Sequence, residues 1–180
     1  SHHIRVAVFT LEMSAEQLAQ RLLAQAAGID AQRLRSGRMT ADEWVRFIEA
    51  IEVFSSLDVF IEDTPALNPY QLRSACRRLQ MEVGLDLVMV DYLQLMSGGT
   101  RYENRVQEVG AISRQLKNLA KELDVPILAA AQLNRSVEQR ADKKPTLADL
   151  RESGNLEQDA DVVILMHRPQ PGMNVISLEV

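Results

Sequence analysis

The chain has 180 residues, 46% of them hydrophobic and 25% charged, proportions of an ordinary globular domain that exclude a disordered tail, a collagen-like fibre and a multidomain array. Its formal net charge of −5 excludes indiscriminate adhesion to nucleic acid, so any polyanion partner requires a local basic patch. Aromatic residues make up only 4%, too few for a base-stacking platform, which leaves backbone contacts as the means of holding a nucleic-acid strand.

A domain of this size buries roughly 70% of the surface its unfolded chain exposes and needs neither disulfides nor a structural metal. Cys76 is the only cysteine and cannot form an internal bridge, so a reducing, cytoplasmic setting is expected. No apolar run approaches the ~18 residues of a membrane span. The start, Ser1-His2-His3-Ile4-Arg5, lacks the basic-then-apolar layout of a signal peptide. Neither export nor membrane insertion is expected.

In chain order, Val6 to Leu11 reads as a strand, and Ser14 with Gln17 three residues on forms a capping box that opens the first helix. Thr40 and Glu43 frame a second box before a helix carrying Trp44, Phe47, Ile48, Ile51 and Phe54. Val59 to Ile61 is the next strand, and Asn68-Pro69 starts the helix that contains Cys76, because proline suits the first helical turn. Leu87 to Val90 is the third strand. The Gly-rich stretch from Ser97 to Arg105 resists assignment. Val106, Val109, Ile112, Leu116, Leu119, Ala120 and Leu123 then recur at steps of three and four, the spacing of an amphipathic helix. Ile127 to Ala131 is a fourth strand, Asn134 to Gly154 is long, polar and unassigned, and Val162 to Met166 and Val175 to Leu178 complete the set.

Short apolar runs alternating with helical patterns predict an α/β fold with a mostly parallel sheet, its strands apolar on both faces and covered by helices. No repeat, low-complexity tract or linker divides the chain, so residues 1–180 read as a single domain.

In open α/β sheets ligands bind outside the carboxyl ends of the strands, which makes the first polar residue after each apolar run informative. Those residues are Glu12, Glu62-Asp63, Asp91, Gln132 and His167. If all six strands run the same way, they gather at one edge. Each is ambiguous alone. Leu87-Val88-Met89-Val90-Asp91 has the form of a Walker B strand, whose carboxylate is held near a Mg²⁺ bridging nucleotide phosphates, yet an isolated apolar run ending in Asp is more often a plain strand end or helix cap. Glu12 either orients and deprotonates an attacking water or lies beside the positive end of the next helix. Gln132 either satisfies backbone groups or senses a γ-phosphate and passes that state to the loop after it.

From Asn134 to Arg151 there are five basic residues (Arg135, Arg140, Lys143, Lys144, Arg151) against three acidic ones (Glu138, Asp142, Asp149). The strip suits phosphate contact that ignores base sequence, or it is a solvated loop. His2 and His3 alone make a poor metal site, His167-Arg168 reads as a strand-end pair, and Cys76, though flanked by Arg77 and Arg78, reads as a small buried residue.

Four strings occur together: Val8-Phe9-Thr10-Leu11-Glu12-Met13-Ser14; Val90-Asp91-Tyr92-Leu93-Gln94-Leu95-Met96; Gln132-Leu133-Asn134-Arg135; and Asp149-Leu150-Arg151-Glu152-Ser153-Gly154 with Gln158-Asp159-Ala160-Asp161. In this order they resemble the RecA-type motor domain of the bacterial replicative DnaB helicases, from about Val6 to Arg168. The resemblance implies a RecA-like three-layer fold in a homohexameric ring that hydrolyses ATP with Mg²⁺ between subunits and moves along single-stranded DNA in a central channel. It implies that Glu12 is the catalytic glutamate, Asp91 the Walker B aspartate acting on Mg²⁺ through water, and Gln132 the switch glutamine at the nucleotide. Arg151, Glu152 and Gly154 resemble channel-loop residues that grip the sugar–phosphate backbone, and Arg101 and Arg105 fall on the other channel-facing loop. A helicase loader and primase are implied as further partners.

The departures are as informative. No G-x-x-x-x-G-K-S/T occurs, so the loop that cradles phosphates is absent from this sequence. In the family that loop precedes the first strand read here, and an arginine finger follows the last. A fold truncated at both ends, inactive in isolation, is therefore expected. Two other readings remain: a RecA-like recombination or clock-type ATPase, against which the Asp149 to Gly154 string argues, and a non-catalytic interaction scaffold, which the missing phosphate loop favours.

Overall fold

A computed structural model describes residues 4–134, 136–140, 144–153, 156–168 and 176–180, and of residues 138, 151–153 and 179 the backbone alone. Strands β1 (Val6–Thr10), β2 (Val59–Glu62), β3 (Leu87–Asp91) and β4 (Ile127–Ala129) form one parallel sheet in the order β2-β1-β3-β4. The register sets Phe9 opposite both Glu62 and Val90, Thr10 opposite Asp91, and Val90 opposite Ala129. All four carboxyl ends thus reach the same edge.

Parallel neighbours require long crossovers, and helices supply them. Between β1 and β2 run α1 (Ala15–Ala27), α2 (Ala31–Ser36) and α3 (Ala41–Ser55); α4 (Pro69–Glu82) leads to β3, and α5 (Arg105–Leu123) to β4. Their starts follow the capping chemistry in the sequence. Ser14 Oγ accepts from the Gln17 N–H while Gln17 returns a bond to the Ser14 N–H, and the Thr40–Glu43 and Asn68–Gln71 pairs do the same. The pattern did not reveal α2. Six residues are too few to show a period, and its only signs were Asp30, which caps the Gln32 and Arg33 N–H groups, and Gly37, which ends the helix in the left-handed region at φ 69.

The main core lies on one face of the sheet, where Ala7, Phe9, Val88 and Val90 pack with Leu72 and Cys76 of α4 and with Val109, Ile112, Leu116 and Leu119 of α5. On the opposite face Val6, Val8, Leu87 and Met89 are only half-buried and Leu128 is 49% exposed. Strands buried equally on both faces were expected, and this second face departs from that. A smaller core of Ala27, Ile29 and Ala50 joins α1, α3 and the turn between α1 and α2. At the other end of the sheet Arg5 fastens β1 to the turn before β3, its Nε 2.7 Å from Asp86 Oδ2 and its guanidinium donating to the Val83 carbonyl at 2.8 Å.

The last two strands correct the sequence reading. β5 (Leu165–His167) and β6 (Ser177–Glu179) pair antiparallel with each other in a separate sheet, so four strands, not six, run in parallel. An apolar run marks extended backbone without naming its partner, and these two short segments satisfy one another. His167 therefore terminates no strand of the parallel sheet. Among the described residues no helix is long and apolar enough to cross a membrane.

Candidate functional site

From β1 the chain crosses to β2 on one side and later returns to place β3 on the other, and the crevice outside the carboxyl ends of β1 and β3 is where an open sheet receives a ligand. The pairing continues past the strands: the Leu11 N–H donates to the Asp91 carbonyl at 2.8 Å, and the Ala130 N–H to the Val90 carbonyl at 2.9 Å. Thr10 is buried and its hydroxyl donates to the Met13 carbonyl at 3.0 Å, turning the chain so that Glu12 emerges exposed. Glu12, Asp91, Tyr92, Ala130, Ala131 and Gln132 line one cavity of about 340 Å³. Three residues singled out in sequence, from three strand ends, thus share one mouth.

The other strand-end acids are engaged locally. Asp63 accepts the Ala15 N–H at 2.8 Å, an acid at the start of α1, and Glu62 accepts the Thr64 hydroxyl. A larger, shallow concavity of about 470 Å³, lined by Gln32, Arg33, Ser36 and Arg38, contains none of the strand-end residues.

Beyond Asp91 the chain makes a 3-10 turn, Leu93–Leu95, that sequence reasoning passed over. The Gln94 side chain donates to the Gln132 carbonyl and accepts from the Gln132 N–H, each at 3.1 Å. Arg105 donates to the Gln94 carbonyl at 2.6 Å and to the Met96 carbonyl at 3.0 Å, and pairs with Glu108. Glu108 in turn accepts the Gly98 N–H at 2.7 Å, and that bond, with Arg105 beside it, holds its carboxyl below the usual range. A Cβ at Gly98 would stand 2.3 Å from the Tyr102 ring, so a larger residue there would displace that ring. Of the two loop arginines expected at a nucleic acid, Arg105 is tied to its own loop and Arg101 is exposed, with no hydrogen bond or ion pair among the described residues.

The stretch unassigned in sequence contains α6 (Ser136–Gln139) and a 3-10 helix, Leu147–Ser153, whose Leu150 joins the main core. Asp149, only 6% exposed, organises it. Its carboxylate accepts the Thr146 N–H at 2.7 Å and hydroxyl at 3.0 Å and pairs with Arg140, and these contacts, the Thr146 N–H foremost, depress its pKa. Arg140 is thus engaged internally. Arg151 and Glu152 lie in the 3-10 helix by backbone alone, and Gly154, Arg135 and Lys143 fall outside the described residues, as do His2 and His3.

A family model for the DnaB-like helicase C-terminal domain matches residues 1–174. The chain belongs to this family. The replicative DNA helicase DnaB of Mycobacterium leprae is 52% identical over 168 residues, 93% of this chain and 28% of that protein. That of Geobacillus stearothermophilus is 50% identical over 164 residues, 91% of this chain and 36% of that protein. The chain therefore spans well under half the length of these relatives. Among solved structures, a DnaB-like replicative helicase studied with its primase interactions superposes with a TM-score of 0.90 at 34% identity, covering 97% of this chain and 44% of that one. A separately solved ATPase domain gives the same TM-score and identity, covering 97% of this chain and 65% of that one. The RecA-like α/β architecture read from the sequence is that of these DnaB-like domains.

In a DnaB-like domain the strand-end cavity can be tested against a magnesium nucleotide. Glu12 and Asp91 offer hard carboxylate oxygens, and Mg²⁺ is usually held by one or two carboxylates with water and substrate phosphates completing its shell. No group of three or more His, Cys, Asp or Glu able to hold a metal occurs among the described residues, so these residues fit an ion that arrives with its phosphates, not one caged by protein. The 180 residues contain no G-x-x-x-x-G-K-S/T loop of the kind that cradles phosphates.

Proposed function

We propose that this domain is the motor core of a replicative DNA helicase, coupling ATP hydrolysis at the subunit interfaces of a homohexamer to translocation on single-stranded DNA and unwinding of the duplex. The observation that carries the reading is the convergence of Glu12, Asp91 and Gln132 on one cavity at the switch point of a DnaB-like sheet.

When bound, Mg²⁺ supplies neutralisation of the phosphate charge. Asp91 would hold the ion through its water shell, Glu12 would align the attacking water and accept its proton, and Gln132 would sense the terminal phosphate. There is little covalent chemistry for the protein to perform; positioning and fixed charge lower the barrier. Arg101, with Arg151, Glu152 and Gly154 of the second loop, contacts the sugar–phosphate backbone, which suits a motor that steps along any template. A helicase loader and primase are the further partners, and the cytoplasm the compartment. The 180 residues in isolation show no DNA-stimulated turnover, because a phosphate cradle is not among them.

In the full-length chain, Glu12→Gln keeps nucleotide binding and lowers turnover by at least about a hundredfold, the scale of a lost general base. Turnover at the wild-type rate would remove Glu12 from its role. The alternative reading is a scaffold without catalysis, under which the full-length wild type hydrolyses no ATP. Strand displacement on forked DNA separates a helicase from a recombination or clock-type ATPase.

A further inference from the structure

Gln94 does not line the cavity, yet it joins the cavity to the loop after β3. A primary amide donates and accepts at once, and Gln94 uses both functions on one residue's backbone, its Nε2 to the Gln132 carbonyl and its Oε1 to the Gln132 N–H, at 3.1 Å each. Strand β4 ends at Ala129, so the Gln94 side chain gives Gln132 the two bonds a neighbouring strand would otherwise supply. The backbone of the same glutamine is held from the other side, its carbonyl accepting from Arg105 at 2.6 Å. Arg105 also binds the Met96 carbonyl and Glu108, and Glu108 binds the Gly98 N–H, which fixes both ends of the loop between Ser97 and Arg105. A continuous run of hydrogen bonds therefore leads from a wall of the cavity to the base of the loop bearing Arg101.

We propose that Gln94 is a positioning residue that couples the placement of Gln132 at the cavity to the conformation of the Arg101 loop, with Arg105 as its second member in place of a DNA contact. The inference rests on the helicase reading above. An arginine fork that bridges two carbonyls and a carboxylate is rigid, so displacement of the Gln132 backbone is transmitted to the first turn of α5 and to Gly98 instead of being absorbed. Leu93 and Leu95 flank Gln94, so its amide is the polar side chain that this 3-10 turn offers to Gln132.

The test uses the full-length chain and compares wild type with Gln94→Leu, Gln94→Glu and Arg105→Lys, measuring kcat and KM for ATP with and without single-stranded DNA, DNA affinity, and thermal unfolding. Gln94→Leu lowers the DNA-stimulated kcat about tenfold, a typical coupling between sites. KM for ATP and the dissociation constant for DNA stay within about twofold. Gln94→Glu, nearly isosteric and thus the control should Gln94→Leu fail to fold, keeps the acceptor but sets a carboxylate against the Gln132 carbonyl, and it uncouples equally. Arg105→Lys keeps the charge, loses the fork, and uncouples without loss of DNA affinity. Full DNA stimulation in Gln94→Glu, or parallel losses in KM, affinity and kcat, overturns the coupling role. A wild type that hydrolyses ATP without any response to DNA instead overturns the helicase reading itself.

Discussion

Leu11 donates its N–H to the carbonyl of Asp91 at 2.8 Å, one step beyond the last ladder pair, Thr10 with Asp91. Backbone therefore fixes the exit of β1 relative to the end of β3, and Glu12 and Asp91 reach one cavity without any side-chain bond between them. Their chemistry can be removed while the scaffold that presents them stays intact. Asp91→Asn in the full-length chain leaves the melting temperature unchanged and raises the Mg²⁺ concentration for half-maximal turnover about tenfold, the scale of a lost partner to a metal's shell. An unchanged Mg²⁺ requirement, read by titration of the ATPase rate, removes Asp91 from the ion.

The two arginines of the loop after β3 separate in the same way. Arg101 is exposed and unpaired among the described residues, so Arg101→Ala lowers single-stranded DNA affinity and reduces the salt dependence of binding by about one ion. Arg105→Ala leaves that salt slope intact and destabilises the domain by about 1 kcal/mol, since it strips donors from the Gln94 and Met96 carbonyls in a half-exposed setting. Equal salt slopes for wild type and Arg101→Ala would show that Arg101 meets no phosphate.

These two arginines mark where the sequence stops being legible. Strand ends, capping boxes and the long period of α5 are local signals, and the residues that carry them stand where expected, including Glu12, Asp91 and Gln132 at one edge. Which arginine is committed internally depends on carbonyls eleven and nine residues away in a turn with no period of its own, and local pattern does not encode it. The same holds for β5 and β6. Their apolar runs are visible in the sequence, but their pairing with each other and not with the parallel sheet is a choice of partner. Gln94 was missed because the rule that flags the first polar residue after a strand stops at Asp91.

At the amino-terminal end of the sheet, Arg5 lowers the Asp86 pKa to about 2, through a side-chain hydrogen bond first and a bond from its backbone N–H second. An ordinary aspartate titrates near ~3.9 when unfolded, so this pair contributes stability that is complete above about pH 4 and is lost as pH falls toward the folded value. Asp86→Asn consequently lowers the melting temperature by a constant margin between about pH 5 and 8, and the margin narrows below about pH 4. Melting curves across that range check it, and a margin that persists unchanged at pH ~3 would mean that Asp86 is stabilised by something other than its charge.

Cys76 offers the last contrast between sequence neighbours and surroundings. Arg77 and Arg78 flank it, and nearby cations lower a thiol pKa. On α4, however, Arg77 pairs outward with Glu122 at 2.9 Å while Cys76 is fully buried in the core, and burial pushes the thiol up to about 12. Desolvation outweighs the neighbouring charge because the charged thiolate has no water at that depth. Native protein at pH ~8 therefore resists alkylation of Cys76, whereas in denaturant, where the thiol returns to about 8.5, labelling is complete. Cys76→Ser places a hydroxyl in the same apolar site and destabilises by about 1–3 kcal/mol if no carbonyl can accept its bond. Alkylation of the folded protein at the rate of an exposed thiol would show that α4 opens to solvent without global unfolding.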